Sequence, residues 1–128
     1  ADTEILSFMR RQAEIAIQNA TVIVFVCDIK TGMTASDHVA ALLHHSGPGL
    51  VDLCLCNCAP VRQGLLERYR EEDAAPIVVD RDAIEALGVE VVERPLASET
   101  QDYARHSVRR LAQAVMELYS ERADTKIF

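Results

Sequence analysis

The period of the hydrophobic positions changes along this chain. Leu6, Met9, Ala13 and Ile17 recur at three- and four-residue steps. That spacing predicts a helix over residues 4–19 with one buried stripe. Six apolar or β-branched residues then run unbroken from Val22 to Cys27, which predicts a strand over 21–27 buried on both faces, as in a parallel sheet. Asp28 ends it, and a turn containing Gly32 follows. Thr34 stands three residues before Asp37. This is a capping-box spacing, in which hydroxyl and carboxylate satisfy free N–H groups of a new helix. The helix, 35–45, carries Val39, Leu42 and Leu43 on one face and stops at Ser46-Gly47.

The alternation continues. A second strand is predicted over 50–57. A third helix is entered at Pro60 and runs to about Glu72, with Val61, Leu65, Leu66 and Tyr69 inward. A short third strand covers 76–80. Two turns of helix over 82–87 are closed by Gly88, and a fourth strand covers 89–96. After a polar loop, 97–105, Ser107 caps a last helix whose stripe is Val108, Leu111, Ala112, Val115 and Leu118; residues from Arg122 onward are predicted to fray. The fold class is therefore α/β: a three-layer α/β/α Rossmann-like domain with a four-stranded, mainly parallel sheet. The first two strands are expected to be neighbours. Strands three and four, joined by a short connection, are also expected to lie together. One domain spans 1–128.

Composition narrows the function. The net charge is −7, and the basic residues are interleaved with Glu and Asp, which argues against nucleic acid. No segment approaches the roughly 20 apolar residues of a membrane span. Four cysteines without a visible secretory signal suggest a reducing, cytoplasmic setting. The first residue is Ala1, not Met, as in a processed, excised or engineered segment. Neither G-x-G-x-x-G nor a Walker A loop occurs.

Candidate chemistry is sparse. Cys54, Cys56 and Cys58 alternate along the second strand and so are expected to share a face. With His38, His44 and His45 elsewhere they raise the question of zinc. The spacing is not that of a C-x-x-C knuckle, however, and small-residue packing is the plainer reading. No metal is expected, and Cys27, Cys54 and Cys56 are expected to be buried and unpaired. Asp37-His38 and Arg105-His106 are the polar pairs. Asp37 is explained by capping. Arg105 and His106 follow the fourth strand's polar loop, on the side where such folds bind ligands; simple solvent exposure is the alternative for both pairs.

Two resemblances follow from specific segments. TASDHVAALL, LLERYREEDAAPIVVDRDAIEALGVEVVE and YARH with the final helix, together about 34–122, resemble the carboxyl-terminal part of the YvcK-type gluconeogenesis factors. These are relatives of the CofD 2-phospho-lactate transferases. The resemblance implies a Rossmann-like sheet that binds a UDP-sugar, with Tyr69 and Arg105 at the nucleotide sugar. The family's glycine-rich phosphate loop is absent here. The segment EILSFMRRQAEIAIQNATVIVFVCDIKTGMTASD is similar to the first GTP-binding domain of Der (EngA), covering about 1–37. Der's P-loop and N-K-x-D motif are missing, so the resemblance implies no GTP hydrolysis.

The two segments meet at TASDH. The expected protein is thus a chimeric or engineered α/β domain with no catalytic function and no cofactor. The alternative is a binding module keeping part of a nucleotide-sugar site through Tyr69, Arg105, His106, Asn57 and Asp28. Both parent families continue the sheet with strands this chain lacks. A homodimer or strand-exchanged pair is therefore expected, unless the terminal helices cover the vacant surface.

Overall fold

The computed structural model describes residues 2–28, 30–31, 34–61, 63–71, 75–98 and 106–126. The element order is α1 (Asp2–Asn19), β1 (Val24–Val26), β2 (Lys30–Thr31), α2 (Ala35–Ser46), β3 (Leu53–Asn57), α3 (Gln63–Glu71), β4 (Ala75–Pro76), α4 (Arg81–Ala86), β5 (Glu90–Arg94) and α5 (Val108–Lys126).

The central sheet has three parallel strands in the order β1-β3-β5. The first two predicted strands are neighbours, as expected. The four-stranded sheet is corrected to three. The predicted strand over 76–80 contributes only β4, which pairs antiparallel with β2 in a separate two-stranded sheet. Pro76 has no N–H for a central ladder, so this segment suits an edge. The fourth predicted strand consequently pairs with the second, in the register Leu53↔Glu90 to Asn57↔Arg94.

Alternation along β3 builds two cores. Cys54 and Cys56 face Ala35 and Val39 of α2 and Ile84 of α4, together with Cys27, Val51, Val89 and Val91. Leu53 and Leu55 face Ala114 and Leu118 of α5, with Leu96. The α2 cap forms as its spacing predicts: Thr34 Oγ1 accepts from Asp37 N–H, and Asp37 Oδ2 accepts from Thr34 N–H. Gly47 and Gly88 both adopt positive φ, where a side chain would be strained.

Two predicted stripes are corrected. In α1, Leu6 and Met9 are 60% and 59% exposed, and Ala13 and Ile17 are exposed as well. The stripe is apolar, but among the described residues no element covers it. In α5 the buried side is Leu111, Ala114 and Leu118, while Val108 is 85% exposed and Ala112 and Val115 also face out. The helix continues past Arg122 to Lys126, and Arg122 pairs with Glu90 of β5.

Candidate functional site

The carboxyl ends of β1, β3 and β5 converge at one end of the sheet, the ligand-facing end of such folds. Asn57, the last residue of β3, organises that end. Its Oδ1 accepts three backbone N–H groups: Ala59 at 3.0 Å, Leu96 at 2.9 Å and Ala97 at 3.0 Å. Its Nδ2 donates to the Ala59 carbonyl at 2.9 Å. One amide thereby ties the turn after β3 to the turn after β5. Cys58 N–H adds a bond to the Arg94 carbonyl at 3.0 Å.

The entry to α5 is fastened to the same place. Ser107 N–H donates to the Leu96 carbonyl at 2.7 Å, and Ala97 forms an antiparallel bridge with His106. Ser107 Oγ caps α5 by accepting Arg110 N–H at 3.3 Å. Arg110 then reaches back, its guanidinium donating to the Ala97 carbonyl at 3.0 Å. A cleft of about 220 Å³ opens here between the end of β5 and α5, lined by Arg94, Pro95, Arg110, Gln113, Ala114 and Glu117. Arg94 lies 3.9 Å from Glu117 and 3.8 Å from Glu121, so the cleft holds both charge signs.

The residues expected from sequence separate. Asn57 and His106 meet at this end, and Asp28 is exposed just past β1. Asn57 serves the loops, its oxygen already taken by three donors. His106 is half-buried, with Nε2 out of solvent and without a hydrogen-bond partner. Tyr69 is buried within α3, which packs beside β4. Arg105 lies outside the described residues. Arg94 and Arg110 were not singled out by the sequence. The available signal was their position, one at a strand's carboxyl end and one in the first turn after a capping serine.

The cysteine reading is also corrected. Cys58 is off the strand and exposed; Cys27, which directly follows the neighbouring strand, joins Cys54 and Cys56 instead. The three are buried and free of disulfides, as expected. Their sulfurs lie within 4.8 Å of one another, so side chains two apart on a strand do not splay here.

Comparison with known proteins fixes the family. The family model for 2-phospho-L-lactate transferase CofD matches residues 6–97. The chain belongs to the CofD family. A gluconeogenesis factor from Halalkalibacterium halodurans is 33% identical over 100 residues, covering 73% of this chain and 31% of that protein. One from Bacillus subtilis is 30% identical over 104 residues, covering 77% and 33%. A solved structure of a protein from Bacillus halodurans superposes with a TM-score of 0.71 at 32% identity, covering 79% of this chain and 35% of that one. The chain thus spans about a third of the length of the relatives it matches.

Der-type similarity is local. GTPase Der from Acetivibrio thermocellus is 49% identical over 43 residues, 34% of this chain and 10% of that GTPase. The CofD match spans residues 6–97 and so takes in nearly all of the Der-like segment. That coverage overturns the expectation of an engineered chimera: this is a CofD-family chain with gluconeogenesis-factor relatives. The expectation of a non-enzyme is overturned too, because the family is named for a transferase. Among the described residues no helix is long and apolar enough to cross a membrane.

Proposed function

We propose that this CofD-family chain forms the carboxyl-end wall of a site for a small phosphorylated anion in a transferase-type protein. The observation that carries the reading is the cleft between β5 and α5, where Arg94 and Arg110 flank about 220 Å³ of space. Asn57 fixes the loops around it through its bonds to Ala59, Leu96 and Ala97. Guanidinium groups suit phosphate because their N–H fork matches its oxygens. Glu117 tempers the charge, so an incoming anion would compete with it for Arg94. The family name supplies 2-phospho-L-lactate as the first compound to test. Titration of the labelled chain, followed by amide NMR, should shift Asn57, Ala97 and Arg110 in a saturable way. Shifts confined to other elements, or none at millimolar ligand, would rule the site out.

Assembly as a homodimer is part of the same reading. A compact monomer of this 14.2 kDa mass exposes about 6,800 Å². This chain exposes 8802 Å², a surplus of the size that a stable interface buries. The surplus includes Ile5, Phe8 and Met9 of α1. Beside the edge strand β1 a groove of about 200 Å³ is lined by Val22, Val24, Val115, Leu118, Tyr119 and Arg122. The occupant that fits is α1 of a second copy, an apolar helix meeting an apolar groove.

A further inference from the structure

Cys54 and Cys56 lie on β3, and Cys27 directly follows the adjacent parallel strand β1. The register pairs Val26 with Leu55, and Cys27 N–H continues it by donating to the Leu55 carbonyl at 2.9 Å. Cys27 therefore stands level with Cys56, and Cys54 lies two positions back on the same face. Cys54 Sγ and Cys56 Sγ are 3.6 Å apart, and all three sulfurs lie within 4.8 Å of one another. Each residue is fully buried. Among the described residues this is the one group of three His, Cys, Asp or Glu side chains that converge in this way.

Thiolates around a metal at about 2.3 Å stand roughly 3.8–4 Å apart in tetrahedral or trigonal sets. The observed sulfur spacing brackets that figure. We propose that the Cys27–Cys54–Cys56 triangle binds one soft, thiophilic monovalent cation of the copper(I) type. Soft sulfur ligands select copper(I) or zinc. Structural zinc takes four ligands, and among the described residues no fourth His, Cys, Asp or Glu converges with the three sulfurs within the same 4.8 Å. Three sulfurs satisfy copper(I) alone. The ion's way in is the carboxyl end of β1, where exposed Asp28 adjoins Cys27. Each sulfur that binds gives its proton to solvent and forms one sulfur–metal bond; no electron moves, so the ion enters already reduced.

The test is anaerobic titration of the reduced chain with copper(I) against a chromogenic chelator. One equivalent should be retained, with near-ultraviolet thiolate-to-copper absorption and a raised melting temperature. Cys58→Ser should leave all three unchanged. Cys54→Ser and Cys27→Ala, each checked for folding by circular dichroism without metal, should weaken retention at least tenfold and lose the thermal shift. Failure to compete with the chelator would overturn the proposal. So would loss of binding in Cys58→Ser, or one equivalent of zinc held where copper(I) is not.

Discussion

Ser36 and Asp80, 44 positions apart, meet through both polar groups of the serine. Ser36 N–H donates to Asp80 Oδ1 at 2.9 Å, and its hydroxyl donates to Oδ2. The start of α2 is thereby joined to the start of α4, beside the bond from Ala35 N–H to the Val78 carbonyl. Partial burial pushes the Asp80 carboxyl up, but the Ser36 bonds outweigh it, and its pKa lies below the usual 3.8. A depressed carboxylate contributes stability above its unfolded pKa, and that contribution fades as pH falls through the folded value. Ser36→Ala should therefore cost about 1 kcal/mol near neutral pH. The difference from the parent chain should shrink as the acid range is entered. Urea denaturation at a series of pH values measures it; a gap independent of pH would mean the bond to the carboxylate contributes nothing.

Asn57→Ala should cost about 2–3 kcal/mol. It strips a shared acceptor from three backbone donors that sit inside the turn. Hydrogen exchange at Leu96 and Ala97 should accelerate more than at Val91, which belongs to the strand proper. Uniform acceleration would show that Asn57 does not act on the loops in particular.

The two sides of α5 should respond differently. Leu118→Ala opens a hole against Leu53 and Leu55 and should cost roughly 2–4 kcal/mol. Val108→Ala, at a position 85% exposed, should stay within about 0.5 kcal/mol. Equal losses in thermal melts would refute the assigned face.

Sedimentation equilibrium at micromolar concentration should give twice 14.2 kDa. Phe8→Glu places a charge in the proposed α1 contact and should shift the mass toward the monomer. A parent chain that stays at 14.2 kDa at every concentration would sink the dimer.

Apart from β2, which falls in a predicted turn, the order of helices and strands was legible in the sequence, as were the Thr34–Asp37 capping box and the pairing of the first two strands. The elements and the cap depend on residues close together or on a local period, which local backbone physics decides; the strand pairing followed from the succession of strand, helix and strand along the chain. Asn57 was legible as a residue at a strand's end. That it holds the turn of Leu96 and Ala97 was not, because those donors lie 39 and 40 positions away. Apolar spacing in α1 marked a face that could be buried. Only the tertiary structure decided that this face stays exposed among the described residues, since periodicity records the helix and not its neighbour. The same limit explains the cysteines. Alternation correctly put Cys54 and Cys56 on one face, but Cys27 replaced Cys58 because cross-strand register, set by the ladder between β1 and β3, chooses which distant side chain becomes the third.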